Sequence, residues 1–445
     1  MGTFKRYDNV DQGLLLPPSL RDWLPEDHLV WFISETVDQL DLDAFLERYR
    51  ISGKGEQAYP PRTMLKILLY AYSTGVFSSR KIAANLETDV ALRVLGAGLF
   101  PDFRTICRFR TRHGDDFTDV FVQVVQIATE AGLTKFGTLA IDGTKIKANA
   151  SKHRAMSYER MKAEEKRLRN EIRKIVAATK KQDSLEDQEF GPDFRGDELP
   201  AELSRRETRL RTILEAKKRL EERKAEDSRQ EDERKAQKAK DEGRDPPRER
   251  PELRKHPKGQ PKPKDQENFT DPDSRIMVDG SGAFQQSYNA QIAVDATEQI
   301  IVGALVSNTA PDARHLMPVI DQVEQLHGVK PRKVLADAGY KSEENFRRLR
   351  ERDIDGYVAV GRGGRTPRRS SGREVQAMQR KLNTKRGRAT FKKRKHIAEP
   401  PFGWIKSVLG FRSFSLRGLE KVGAEWMLVC TAVNLRRLGG RISWA

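Results

Sequence analysis

Thr138-Leu139-Ala140-Ile141-Asp142-Gly143 is a short apolar run that closes on an acid and a glycine. A run of this length bounded by a turn signal reads as a buried strand, which places the Asp142 carboxylate at the strand's end. Lys333-Val334-Leu335-Ala336-Asp337-Ala338-Gly339 repeats the pattern further along the chain. Between and after the two runs the apolar period switches between strand and helix. Tyr288, Ala290, Ile292 and Val294 alternate within residues 283–295, and residues 299–306 read as a neighbouring strand. Leu316, Val319, Ile320, Val323 and Leu326 recur at helical spacing within 312–327. A short helix follows Ser342, and Tyr357-Val358-Ala359-Val360 reads as one more strand. Residues 402–409 and 423–438 are helical again. An α/β fold, with helices packed on the faces of a mixed sheet, is the economical way to bury these elements.

The bulk properties narrow the function. A chain of 445 residues exceeds one ordinary core and implies two or three folded units. Its 83 Lys and Arg against 65 Asp and Glu give a net charge of +18, which draws a polyanion, most often nucleic acid. Cys107 and Cys430 stand far apart, which excludes a disulfide framework or a cysteine-based zinc site. The N-terminus shows no apolar signal region, and no apolar run approaches the ~20 residues that span a bilayer. A cytoplasmic, nucleoid-associated protein without a membrane partner is expected.

Residues 1–130 read as helical. Pro60-Pro61 opens a segment with Met64, Ile67, Leu68 and Ala71 in phase, and Gly75 ends it. Ser78 and Thr88 are candidate caps for the next two helices, and Asp102 caps a fourth. In that last helix Arg104, Arg108 and Arg112 share one face. A helix, a tight turn and a basic helix are how a DNA-reading module is often built, although a solvated basic face gives the same pattern. Residues 153–272 change character: both charges interleave, aromatics are few, and Pro246-Pro247 and the 257–264 stretch punctuate the end. Leu168, Ile172 and Ile175, then Leu210, Ile213, Leu214 and Leu220, are too sparse for a core and predict a helical hairpin or short coiled coil. It reads either as a solvated insertion without chemistry or as an arm for a partner subunit or a DNA backbone.

Asp142 and Asp337 are placed as oxygen ligands of a metal want to be, at strand ends with small neighbours. Magnesium takes a few carboxylates and keeps water elsewhere, and two ions about 4 Å apart serve phosphodiester chemistry. Glu399 is the best-placed third acid. It lies between a basic stretch, residues 361–395, and an amphipathic helix. That stretch holds fourteen Lys and Arg and one acid, Glu374, and reads as a loop. Pro400-Pro401 then puts Glu399 at the start of its helix. Each acid has a plainer reading: Asp-Gly is a common turn pair, Asp337 suits a loop start, and Glu399 suits a helix cap.

The chain resembles the DDE transposases of bacterial insertion sequences, which have a ribonuclease H-like catalytic domain. Ala140-Ile141-Asp142-Gly143-Thr144-Lys145 is similar to the first-Asp motif of that family. Val334-Leu335-Ala336-Asp337-Ala338-Gly339-Tyr340 is similar to its second, and Arg394 through Glu399 to Phe402-Gly403-Trp404-Ile405-Lys406 to its Glu region. Tyr59-Pro60 through Arg112, Asp271-Pro272-Asp273-Ser274-Arg275 and Tyr288-Asn289-Ala290-Gln291 resemble one subgroup. Lys406 keeps the family's seven-residue spacing from Glu399, whereas Phe391 stands close to where a Tyr is expected and Arg394 lies one residue further from Glu399 than usual. The resemblance implies a helical N-terminal DNA-end-binding and assembly domain (1–130), the start of the catalytic core (131–152), a charged insertion (153–272) and the rest of the core (273–445). It implies metal-dependent cleavage and strand transfer at the terminal inverted repeats of an element and into target DNA. Asp142, Asp337 and Glu399 would hold two Mg2+ ions, with Mn2+ as substitute. Arg394 and Lys406 would meet phosphate near the scissile bond. Lys393 and Lys395, with the rest of the basic run, would track the backbone. Trp404 is a candidate for stacking on an exposed base or for packing. Lys145 and Asn149 are candidate supports of the first acid, and His396 a phosphate contact. A homodimer is expected, since two ends must be held together. The alternative is a catalytically inactive or repurposed DNA-binding protein.

Overall fold

The computed structural model describes residues 19–49, 57–190, 201–241, 257–361 and 372–442. Its contacts divide into two units, Met1–Ala148 with Val278–Ala283 and Ser287–Ala445, and Asn149–Met277 with Phe284–Gln286.

The first unit opens with seven helices: α1 (Leu29–Gln39), α2 (Asp43–Glu47), α3 (Pro61–Ser73), α4 (Ser79–Thr88), α5 (Val90–Gly96), α6 (Phe103–Arg112) and α7 (Asp116–Glu130). Pro61 starts α3, where its missing N–H leaves nothing unsatisfied. Gly75 follows with φ +82°, and a Cβ there would stand 2.7 Å from the Leu409 carbonyl oxygen, so conformation and space both demand glycine. Asp102 caps α6 as expected, accepting from Thr105 N at 2.6 Å. The expected Thr88 cap is instead the last residue of α4. Asp89, one residue on, accepts from Leu92 N at 2.9 Å and starts α5. After α7 comes strand β1 (Thr138–Lys147).

The second unit contains the helical hairpin, α8 (Tyr158–Phe190) and α9 (Ala201–Asp241), with a two-stranded sheet at its base, β2 (Ala155–Ser157) against β3 (Gln266–Asn268). Met161, Leu168, Ile213, Ala216 and Leu220 form its narrow core. Strand β4 (Arg275–Val278) hydrogen-bonds to β5 (Phe284–Asp295), whose first three residues belong to this unit. Pro246-Pro247 and residues 362–371 of the basic stretch lie outside the described residues.

The first unit resumes with β5 and β6 (Ile301–Ser307), then a 3-10 turn, Asp312–Arg314, and α10 (Leu316–His327). There follow β7 (Lys333–Ala336), α11 (Glu343–Glu351), β8 (Asp355–Val358), α12 (Arg373–Asn383), α13 (Lys385–Gly403) and α14 (Leu419–Ile442). Strand β1 lies at the middle of the sheet, parallel to β7 on one edge and antiparallel to β5 on the other. Strand β8 continues parallel beyond β7, and β6 runs antiparallel to β5. The sheet is therefore mixed, as expected. The basic stretch, expected as a loop, is helical from Arg373 onward, because Val375 and Met378 find a buried face on α12. The expected helix over 312–327 begins only at Leu316, after the 3-10 turn. Helix α14 buries Trp426, Leu428, Val429, Cys430, Leu435 and Leu438. Such all-round burial is that of a central helix. It packs on β6 and on α1, α3 and α7.

Candidate active site

Strand pairing brings the first two acids together. Ile141 and Ala336 are register partners in the parallel pair β1–β7, and Asp142 and Asp337 are the residues that follow them. Neighbouring strands lie about 4.8 Å apart, so the two acids stand on adjoining strands at the same level. Asp142 does not end β1, contrary to expectation. The strand runs on to Lys147 because its other edge stays paired with β5, Asp142 opposite Ile292 and Lys145 opposite Asn289. Gly143 is part of that ladder and not a turn, and a Cβ on it would run into the Gln291 side chain. Asp337 caps the turn Ala338–Tyr340, accepting from Gly339 N at 2.8 Å.

Glu399 arrives on α13. The helix does not start at Glu399, as the two prolines led one to expect. It runs through Pro400 and Pro401 to Gly403 and widens into a π-turn, Trp404–Val408. Pro400 cannot donate to the carbonyl four residues back, at His396, and Gln299 Nε2 donates to that oxygen instead, at 2.9 Å. A π-turn is a common irregularity where a helix ladder is interrupted. The helix lies against β1 and places two cations on one face of that strand. Arg394 meets Asp142 Oδ2 at 3.1 Å and Glu399 Oε1 at 3.6 Å. Lys406 Nζ donates to the Thr144 hydroxyl, two residues beyond Asp142 and so on the same strand face.

Electrostatics follow from this packing. Burial lifts the Asp142 pKa to about 6, and nearby Asp337 adds to the rise. Arg394 and the Gly143 N–H oppose it without cancelling it. Lys406 is pushed below the usual lysine value by desolvation. The Nε of Arg394 is buried without a hydrogen-bond partner among the described residues. The described residues contain no group of three His, Cys, Asp or Glu placed to hold a metal ion. The guanidinium of Arg394 stands between the first and third acids.

The opposite face of β1 holds a polar network that sequence reasoning missed. Asp312 Oδ1 accepts from Lys145 Nζ at 2.8 Å, Asn289 Nδ2 at 2.8 Å and Gln291 Nε2 at 3.0 Å. Buried Tyr340 donates to Gln291 Oε1. Lys145 thus pairs with Asp312 rather than with the first acid. The Pro311-Asp312 pair reads as a helix start, and that hid it. Thr144 was also missed, although its place two residues past Asp142 was a usable signal.

The remaining candidates are spread out. Lys393, Lys395 and His396 are exposed on α13. Phe391, Arg394 and Lys395 line a cavity of ≈ 260 Å³. Trp404 is 37% exposed, with the Arg436 guanidinium 5.3 Å from its ring centroid. Arg104, Arg108 and Arg112 are all exposed on α6, and Arg112 stands over the Tyr49 ring at 4.6 Å. Asn149 opens the second unit.

Residues 252–435 match the family model for the Transposase DDE domain, and residues 18–112 match that for a Transposase domain (DUF772). The chain belongs to the DDE transposases of insertion-sequence type. The DDE match takes in Asp337, Arg394, Glu399 and Lys406 of the transposase, while Asp142 and the hairpin precede it. No curated protein and no solved structure matches the chain. The family is one of DNA-cleaving enzymes that use divalent metal ions. Among the described residues of the transposase, no helix is long and apolar enough to cross a membrane.

Proposed function

We propose that the transposase cleaves DNA at the ends of its element and transfers the freed 3′-hydroxyl to target DNA, with Asp142, Asp337 and Glu399 as its metal-binding acids. The observation that carries this reading is the register of β1 and β7, which sets Asp142 and Asp337 next to each other on adjoining parallel strands. The strand arrangement supports a ribonuclease H-like core: β1, β7 and β8 parallel, with β5 and β6 antiparallel on the other side.

The donors fit a hard divalent cation. All three are carboxylates, and Asp142 holds a buried charge that Arg394 compensates only in part. Asp142 and Asp337 would hold the ion from the sheet side, and Glu399 would join once its carboxylate leaves Arg394. Mg2+ or Mn2+, two ions per site, would when bound activate the attacking hydroxyl and stabilise the leaving oxygen. The chain's own residues do the rest. Arg394, released from the acids, is positioned to take a phosphate oxygen with its guanidinium fork. Lys406, half-buried and anchored on Thr144, directs an ammonium at the same strand face. Lys393 and Lys395 hold the backbone outside the site, and Trp404 offers a partly exposed ring to a base. The exposed arginines of α6 contact the element's end. A homodimer would give each end its own site.

The test is incubation of the purified transposase with duplex DNA carrying the element's two ends and Mg2+. Nicked and joined products are expected. Cutting without joining would make the protein a nuclease, and binding without either reaction would make it a DNA-binding protein only.

A further inference from the structure

Helix α8 carries a charge asymmetry that the proposed chemistry leaves unused. Its acids Glu164, Glu165 and Glu171 turn toward α9, where they meet Arg209, Lys217 and Arg206 at 3.1, 2.9 and 2.9 Å. Its cations turn outward. Lys162, Lys166, Arg169 and Arg173 are exposed and recur every three or four residues, so they form one ridge along the helix. Arg160, Arg167 and Lys174 are exposed at seven-residue spacing and form a second ridge. Ala163, Asn170 and Ala177, all exposed and short, stand between the ridges. From residue 159 to 174, Glu159 is the one exposed acid. Arg167 and Arg169 reach back to acids of α8, while Arg160, Lys166, Arg173 and Lys174 make no ion pair with a described residue.

Helix α9 shows the contrast. Its exposed Arg205, Arg211 and Lys218 alternate with exposed Glu207, Glu215 and Glu222. That interleaving is what a merely solvated helix carries. Like charges three and four residues apart, as on α8, destabilise a helix and call for an anionic partner.

We propose that the outer face of α8 is a DNA-backbone surface, with duplex phosphates lying along the two ridges. The proposal rests on the transposase reading above and extends it to residues that neither family match covers, since those matches span 18–112 and 252–435. The second ridge runs fourteen residues, about 21 Å of helix at 1.5 Å per residue. A duplex strand presents roughly six phosphates over that length. The small side chains between the ridges let a sugar-phosphate strand come close. Lysine and arginine on long, rotatable stems, with no Asn or Gln pair aimed outward, give binding that ignores sequence.

The experiment measures the affinity of the full-length protein for a duplex of about 40 base pairs and arbitrary sequence, across a salt series. It compares wild type, a triple variant Lys166→Gln/Arg173→Gln/Lys174→Gln, and a control Arg205→Gln/Arg211→Gln on α9. The log–log slope falls by about 0.9 for each phosphate that is no longer neutralised, so the slope of the triple variant is expected to drop by roughly two to three and that of the control not at all. Circular dichroism and melting temperature are expected to match wild type, because the three cations pair with no described residue of the fold. An unchanged slope in the triple variant, with wild type bound in a salt-dependent way, overturns this proposal alone. An unchanged slope together with an altered oligomer mass makes the face a protein contact and overturns it too. A wild type that does not bind duplex DNA overturns both this proposal and the function it rests on.

Discussion

Asp142 is buried where an ionised carboxylate is disfavoured, and its pKa of about 6 records that. The folded pKa lies above the unfolded value of about 3.9, so the folded protein binds this proton more readily. Its contribution to stability is full below pH ~4 and is lost as pH rises through about 6. Asp142→Asn is therefore expected to raise the stability of the metal-free protein at pH 8, by roughly 1–3 kcal/mol, while ending catalysis. Chemical denaturation with and without the substitution, at pH 5 and pH 8, checks this; the gain should shrink at pH 5. The same proton competes with a cation. Binding of Mg2+ is expected to weaken about tenfold per pH unit below 6 and to level off above it, as titration calorimetry across that range would read. At this scale the sequence was informative only where a residue's neighbours in the chain explain it. Asp142 and Asp337 follow apolar runs, and that pattern exposed them. Asp312 was hidden, because Lys145, Asn289 and Gln291 reach it from two strands far away in sequence.

Elements were legible where period and length agreed. The alternation of residues 283–295 became β5, and the heptad-poor, charge-rich stretches became the α8–α9 hairpin. Helix α13 was misread because two prolines ordinarily stop a helix, and nothing local announces that Gln299 will take up the freed His396 carbonyl. Gln299→Ala is expected to destabilise the protein by about 0.5–1.5 kcal/mol and to lower cleavage further than binding, since the same helix carries Arg394 and Glu399. A second tie between elements centres on two buried charges, Arg110 and Glu425. Arg110 of α6 donates to Tyr72 of α3 at 2.8 Å, to Ser79 of α4 at 2.7 Å and to Ser415 at 3.0 Å, and lies 3.8 Å from Glu425 of α14. Glu425 also accepts the N–H groups of Ser415 and Leu416, at 2.9 and 3.0 Å. Removing the acid strands a buried guanidinium. Glu425→Ala is expected to cost about 3–5 kcal/mol, measured by urea unfolding, against little change for an exposed control such as Glu420→Ala.

The molecule as a whole shows why the N-terminal helices are more than an appendage. Helix α14 buries one side on β6 and another on α1, α3 and α7, so the sheet and the helical segment share its apolar surface. Deleting residues 1–130 is expected to leave an insoluble or molten chain rather than a free catalytic core, as expression and near-UV circular dichroism would show. The sequence revealed the helical segment but not this sharing, because an apolar helix reads the same whichever elements cover it. The net charge of +18 agrees with the DNA binding that the transposase family suggests. The central claim, that Asp142, Asp337 and Glu399 form one catalytic site, is tested most directly by cleavage of element-end DNA in Mg2+. The proteins to compare are wild type, Asp142→Asn, Asp337→Asn and Glu399→Gln, each also assayed for binding the same DNA. The account predicts that all four bind, that wild type cuts, and that each variant loses cutting by at least about a thousandfold. A variant that binds and cuts at near the wild-type rate would remove that acid from the site and contradict the account.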